Sequence, residues 1–312
     1  MATLWVTGAN GVLGAAVVQH AVETGAYERI CALSHTPDSQ QQQHAHPSTE
    51  WYALDVRDRD AFAQLADTMR PDAIVNCAAM TNVDACEVTP ELAWQINADG
   101  PRTLAYVARD TGAQLLHVST DYVFPGHDTR PGPYGEGDEP APLSVYGRSK
   151  LGGEEAIAHA LGAEHPYLIM RTAVVIGIGP NQRPNFVTWL ARELRLEHRV
   201  KIVNDQYNTP TLANDLARAI LWNLASGSTG VYHAAGPTLL GRHEWALAIA
   251  DYFGLSRELI EWVTTEQLGQ KAQRPLRSGL RCQRLAADYA CGLARFQGAI
   301  ECLSAVDWQA HL

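Results

Sequence analysis

The chain opens with TLWVTGANGVLG, a short apolar run from Thr3 to Thr7 followed at once by Gly8, Gly11 and Gly14, and then by the helical spacing of VLGAAVVQHAVETG. Glycines so placed between a strand and a helix constrain the fold more than any other feature of the sequence. A tight turn leaves little room for a Cβ, the middle glycine lets backbone approach a pyrophosphate, and the last allows close packing of helix on strand. The helix N-terminus then faces the anion. The spacing is G-x-x-G-x-x-G and not the G-x-G-x-x-G of many two-domain dehydrogenases. Its position after a strand and at the mouth of a helix is what makes the pattern informative.

The first half repeats this alternation. Further strand candidates are RICALS, EWYAL, DAIVN, QLLHVS and PYLIM, separated by helical patterns such as RDAFAQLADTM and TPELAWQINADGPRTLAYVARDTG. The last opens on a Thr89 cap with Pro90 at the first helical position. Beyond residue 172 the elements shorten: RPNFVTWLARELRLEH reads as a helix, VKIVN as a strand, TLANDLARAILWNLASG as a helix ended by Gly227, and GVYHAA as a strand. The predicted fold is α/β, a Rossmann-type doubly wound parallel sheet with a smaller interleaved substrate lobe. Residues 1–171 make the dinucleotide-binding domain, rejoined by about 204–235, while 172–203 and 236–312 make the lobe. Trp189 and Trp222 read as fillers of helix interfaces. SHTPDSQQQQHAHPSTE reads as a surface loop, with His44 and His46 not expected to bind metal.

Composition narrows the function classes. No apolar run approaches the roughly 20 residues that span a bilayer, and the N-terminus lacks a basic stretch before an apolar one, so no membrane partner and a cytoplasmic location are expected. Six cysteines without a C-x-x-C pair or His/Cys ligand spacing predict reduced thiols and no metal site. A formal charge of −10 argues against a nucleic-acid-binding face, though not against a small anionic ligand held by backbone N–H groups.

For the cofactor, LSHTP ends the second strand with Ser34, His35 and Thr36 where an NAD site would usually place a carboxylate for the ribose 2′-hydroxyl. NADPH is therefore expected over NADH, although no arginine stands at that spot. Asp55 and Val56 follow the third strand as candidates for the adenine edge, with a turn or cap role for Asp55 equally open. For the chemistry, SVYGRSK sets Tyr146 and Lys150 on one helix face, in a chain with 3 lysines against 21 arginines. An ammonium beside a phenol lowers a pKa that is otherwise about 10. A lysine is also compact enough to reach ribose hydroxyls, which the planar fork of arginine is not. HVSTDYVF leaves a strand with Thr120 and Asp121 at its carboxyl end, where open α/β sheets bind ligands. Thr120 is placed to donate to a substrate carbonyl while Tyr146 protonates the same oxygen.

In this order TGANGVLG, IVNCAAMTNVDACE with PELAWQINADGP, HVSTDYVFPG, SVYGRSKLGGE, VNDQYNTPT and RPLRSGL resemble the extended short-chain dehydrogenases/reductases over nearly the whole length. Within them the likeness is to the dTDP-4-dehydrorhamnose reductases. The resemblance implies an NAD(P)H-dependent oxidoreductase that reduces a keto group on a deoxy-sugar nucleotide, with Thr120, Tyr146 and Lys150 catalytic and Asp121 touching substrate. It implies cofactor contacts at Asn10, Gly11, Val12, Leu13, Asp55, Val56, Cys77, Ala78 and Ala79, beside Gly8, Gly14, Ser34, His35, Tyr146 and Lys150. Asn185 and Phe186 match an Asn-Phe pair before the substrate-lobe helix, and Asn97 falls on the helix that supports the site, where a purely structural role is as open. Asp205 and Gln206 are either loop-ordering residues or ligand contacts. One departure stands out: those reductases usually read Arg-Thr-Ser-Trp-Val-Tyr on the sixth strand, with the tryptophan against the sugar, whereas RTAVVIG puts Val174 there and Ile176 at the tyrosine. The substrate is therefore expected to be a different or bulkier keto compound. Relatives of this fold also include the regulatory β subunit of methionine adenosyltransferase. A non-catalytic NADP-binding regulatory subunit and a reductase or epimerase of a non-rhamnose metabolite are thus the alternatives. A homodimer is compatible with all of these readings.

Overall fold

The computed structural model describes residues 2–36, 46–179 and 185–304. The glutamine run with His44, and Pro184, lie outside the described residues. All six strand segments of the first half, and GVYHAA, belong to one sheet. Its strands are β1 (Thr3–Thr7), β2 (Arg29–Ser34), β3 (Thr49–Ala53), β4 (Ala73–Asn76), β5 (Gln114–Thr120), β6 (Tyr167–Thr172) and β7 (Gly230–His233). They are all parallel, in the order β7-β6-β5-β4-β1-β2-β3. The principal helices in chain order are α1 (Val12–Thr24), α2 (Arg59–Thr68), α3 (Val83–Val88), α4 (Pro90–Trp94), α5 (Gly100–Thr111), α6 (Val145–Leu161), α7 (Phe186–Arg195), α8 (Ala213–Ala225), α9 (Arg242–Phe253), α10 (Gln283–Asp288) and α11 (Phe296–Ser304). Among the described residues no helix is long and apolar enough to cross a membrane.

The strands are almost continuously apolar because both faces of the sheet are covered. On one face Leu4, Val6, Val75, Leu116 and Met170 pack with Val17 of α1 and Leu216 and Ile220 of α8. On the other, Trp5, Ile74, Leu115 and Ile169 pack with Phe62 of α2, Leu104 of α5 and Ile157 of α6. Strand order reverses between β1 and β4, and such a switch point opens a crevice at the carboxyl ends of the strands. The glycine loop sits there. Gly8 holds a left-handed φ of 64°, and a Cβ on Gly14 would lie 2.2 Å from the Gly8 carbonyl oxygen, which is why the helix can start directly on the strand.

α4 and α5 are joined by one turn of π-helix, Gln95–Asp99. Pro101 explains it: proline has no N–H for the carbonyl four residues back, and its ring would collide with that group in an α-helix, so the wider turn relieves both. Asn97 inside the turn is fully buried. Its Oδ1 accepts from the Met80 N–H at 2.8 Å, while its Nδ2 donates to the Met80 carbonyl and to Ser149 Oγ at 3.1 and 3.0 Å. The site-supporting and structural roles left open for this residue are thus one role, since it ties the loop after β4 to α6. Thr89 differs from expectation. It precedes α4, but its hydroxyl donates to the Ala85 carbonyl of α3 instead of capping α4.

A second core lies under the sixth strand's exit, where Val187, Leu190, Val200, Ile202, Trp245, Ile249, Ile260 and Ile300 pack together. Val200–Val203 runs parallel to Ile260–Val263 there. Asp205 and Gln206 order a loop, accepting from the Thr265 N–H and donating to Gln270 respectively. In the last segment Leu285 and Tyr289 pack in the main core, with Tyr289 against Trp222 and Asp288 accepting from the Tyr232 hydroxyl. An aromatic cluster at the edge of β7 is what draws this part of 236–312 back to the sheet.

α6 is tied to the sheet by a buried charge pair. Arg171 Nη2 of β6 donates to Glu154 at 2.6 Å, Ser119 of β5 donates to the same carboxylate, and both charged side chains are 6–7% exposed. Glu154→Ala would leave the guanidinium buried alone, so urea unfolding should show a loss of about 3–5 kcal/mol. A variant as stable as wild type would show that Arg171 finds another partner.

Candidate active site

β5 ends at Thr120, whose hydroxyl accepts from the Tyr122 N–H at 3.2 Å and starts a 3₁₀ turn over Asp121–Val123. Across from it, Ser144 caps α6 by accepting from the Gly147 N–H, which sets Tyr146 at the second position of the helix. Lys150 follows one turn later. Tyr146 packs edge-on against Tyr122, with ring centroids 5.5 Å apart. Burial pushes its phenol above the ordinary value, and the Thr120 hydroxyl beside it pulls back, while Asp121, Tyr122 and Cys86 add to the rise.

Lys150 is 2% exposed. Its Nζ donates to the Val118 carbonyl at 2.7 Å and lies 3.1 Å from Nε2 of the buried His117. Burial pulls its pKa down to about 8, with Glu154 and Cys77 opposing the drop. The sequence sets Lys150 on the same helix face as Tyr146, and the structure seats its Nζ against β5. The reason is polar satisfaction, because a buried Nζ needs hydrogen-bond partners and β5 supplies a carbonyl.

Asp121 is 1% exposed, and burial raises its carboxyl above the usual range against hydrogen bonds from Ser278 and Thr120. It lines the site, yet its carboxylate is committed to Ser278, so it joins β5 to the late RPLRSGL loop. Arg274 of that loop grips Asp84 of α3 through both carboxylate oxygens at 3.1 and 2.8 Å, holding the Asp84 carboxyl low. Asn185 is likewise engaged: its side-chain oxygen caps α7, accepting from Val187 and Thr188, and its amide donates to the Gly177 carbonyl.

The crevice above the glycine loop and these residues form one cavity of about 920 Å³. It is lined by Gly8, Asn10, Gly11, Val12, Leu13, Gly14, Ser34, His35, Asp55, Val56, Cys77, Ala78, Ala79, Thr120, Asp121, Tyr146, Lys150, Val174 and Asn185. Phe186, Asn97, Asp205 and Gln206, also raised by the sequence, are not on its wall. Cys77 lines the wall, its thiol pushed up to about 12 by burial. Val174 adopts φ 32°, a left-handed conformation that is strained for a β-branched side chain. Among the described residues no group of three His, Cys, Asp or Glu could hold a metal.

Two cations, one on the cavity wall and one near residues that line it, escaped the sequence reading. Arg57 lines the cavity beside Ser34 and His35; its Nε lies 3.0 Å from Asp55, whose carboxyl it holds low, with His35 3.5 Å from the same carboxylate. It lies four residues past the end of β3 and two past Asp55. Arg242, the first residue of α9, lays its guanidinium over Phe186 and Trp245 at 4.8 and 4.5 Å. Its Nη1 is buried without a hydrogen-bond partner among the described residues. Burial pulls it below its ordinary value, while Tyr122 and Asp121, both on the cavity wall, favour its charge. A half-buried cation backed by aromatic faces with an unused, buried donor is suited to an anion.

Comparison with known proteins follows the same lines. A family model described as RmlD substrate binding domain matches residues 1–307. The chain is 35% identical over 286 residues to a dTDP-4-dehydrorhamnose reductase of Mycobacterium tuberculosis, covering 91% of this chain and 86% of that protein. It is 34% identical over 306 residues to a probable low-salt glycan biosynthesis reductase, Agl14, of Haloferax volcanii, covering 96% and 97%. The crystal structure of dTDP-4-dehydrorhamnose reductase from Bacillus anthracis in complex with NADP superposes with a TM-score of 0.81 at 29% identity, covering 98% of this chain and 99% of that one.

Proposed function

Because the chain belongs to the RmlD substrate binding domain family, within the extended short-chain dehydrogenases/reductases, we propose that it is an NADPH-dependent reductase of the keto group on a deoxy-sugar nucleotide. The observation that carries this reading is the single cavity shared by a pyrophosphate-type glycine loop and Thr120, Tyr146 and Lys150. A nicotinamide dinucleotide bound there supplies the hydride. Tyr146, kept protonated by burial, holds the proton that the reduced oxygen requires, and the Thr120 hydroxyl orients that oxygen. Lys150 is compact enough to hold ribose hydroxyls from the same helix face. Keeping the reactants in one cleft lowers the entropic part of the barrier.

The substrate side follows from the second core, with the large domain binding the dinucleotide and the lobe the sugar nucleotide. Arg242 is assigned to the anionic diphosphate of that nucleotide, since its unused donor and aromatic backing suit a phosphate oxygen. Val174 forms the wall where its relatives' usual pattern has a tryptophan, leaving room beside the sugar.

NADPH oxidation measured against a panel of keto-sugar nucleotides tests the assignment. Wild type should turn over at least one member, and Tyr146→Phe should lower kcat by about a thousandfold with NADPH affinity kept. Binding of NADPH with no turnover of any member would identify a regulatory subunit instead. NADPH should bind more tightly than NADH, because no carboxylate stands at Ser34 and Arg57 is at hand; Arg57→Ala should remove about tenfold of that preference in fluorescence titrations. A preference for NADH in wild type would overturn the reading of this corner. On the substrate side, Arg242→Gln should raise KM with NADPH affinity unchanged, and Val174→Trp should improve kcat/KM for dTDP-4-dehydrorhamnose. No gain from the tryptophan, with efficient wild-type turnover of that sugar, would show that another side chain closes the pocket.

A further inference from the structure

Both ring nitrogens of His117, which is fully buried on β5, have neighbours. Nδ1 lies 2.9 Å from Nδ2 of Asn76, and Nε2 lies 3.1 Å from Lys150 Nζ. Asn76 decides which nitrogen carries the hydrogen. Its side-chain oxygen faces the Ala78 N–H at 3.1 Å, a group that can only donate, and accepts from the Thr7 hydroxyl at 2.6 Å. The NH₂ of the same amide therefore points at Nδ1, which must accept. A neutral imidazole accepting at Nδ1 carries its hydrogen on Nε2, aimed at the lysine.

An N–H pointed at an ammonium is a repulsive contact. Pointed at an amine it is a hydrogen bond, with Nζ accepting from His117 while it donates to the Val118 carbonyl at 2.7 Å. An imidazolium does not resolve the conflict, because burial and Lys150 both drive the His117 pKa well below its ordinary value. The other ionisable groups around Nζ are few. Cys77, after β4, is held neutral by burial; Tyr146 lies one turn earlier on α6; and Glu154, one turn later, is already shared by Arg171 and Ser119. None of them gives Lys150 a dedicated counterion, in keeping with the fall of its pKa to about 8.

We propose that His117, fixed by Asn76 as the Nε2–H tautomer, is a positioning residue that favours the amine form of Lys150 in the unloaded site, so that at alkaline pH the engagement of Nζ by a dinucleotide ribose takes up one proton at Lys150. The proton comes from solvent, and His117 keeps its own hydrogen throughout. At alkaline pH the ammonium that biases Tyr146 would then form chiefly in the loaded site. The inference rests on the dinucleotide reading above, and the two fail differently.

Isothermal titration of NADPH into wild type at about pH 9, in buffers of different protonation enthalpy, should show uptake approaching one proton per site. Affinity should weaken by about tenfold per pH unit above the resting Lys150 value, because only the charged lysine binds well there. His117→Leu removes the opposing donor. Its lysine stays charged to higher pH, so the uptake at about pH 9 should fall to less than about half and the weakening should begin at higher pH. Nitrogen-15 NMR of histidine-labelled wild type, with the His117 signal assigned by its loss in the variant, should show the Nε2-protonated form. If the variant does not fold, the wild-type titration decides. NADPH binding without proton uptake overturns the inference, as does an Nδ1-protonated ring or full uptake in His117→Leu. Failure of wild type to bind NADPH at any pH overturns the cofactor reading and this inference with it.

Discussion

The site is organised around a lysine buried without a carboxylate of its own. Glu154, the nearest acid on the same helix, is taken by Arg171, so Lys150 is left to a backbone carbonyl and an imidazole on β5. That allocation fixes the distance between α6 and the sheet, and with it the position of Tyr146 over the end of β5. It also explains the single lysine in a stretch of chain that otherwise uses arginine. A guanidinium cannot shed its charge in such surroundings, whereas an amine can.

The sheet was legible because parallel strands buried on both faces need unbroken apolar runs, and TLWVT, DAIVN and QLLHVS have them. The glycine loop was legible because its spacing is imposed by backbone contacts within a few residues. What escaped depends on neighbours distant in the chain. Arg57 reaches the cofactor corner only because β3 lies beside β2, and Arg242 comes to lie over Phe186 only because α9 packs against α7. Asn185 and Asp121 were marked for ligand contact on their position in motifs. The structure shows their polar atoms largely used by the protein, in a helix cap and in a link to Ser278, roles that a motif cannot distinguish from binding. Thr89 shows the same limit at shorter range, since a hydroxyl between two helices can serve either one.

The second core left a fainter trace because its architecture is assembled from fragments. Two-residue pairings such as Val175–Ile176 with Thr211–Leu212 carry no periodicity to read, and the main core reclaims the chain at Leu285. Val174 sits at the junction of these systems, next to a strand of the large sheet and packed against the smaller core. Its left-handed backbone is held by pairing on both sides, the Val174 carbonyl accepting from Thr211. The cavity wall is thus shaped by a backbone conformation as much as by a side chain.

The π-turn at Gln95–Asp99 works as a phase joint. An α-helix advances about 100° per residue, so one extra residue rotates everything beyond it by that amount. α4 keeps the orientation that buries Ala93 near the site, and α5 keeps the different orientation that turns Leu104, Val107 and Ala108 to the sheet. Deleting a single residue from the turn would bring Arg102 and Arg109 round toward the core and carry the apolar face out to water. The segment therefore tolerates exchange of side chains more readily than a change of length. A sequence that gained or lost one residue here would have to recompose the whole of α5 to stay folded.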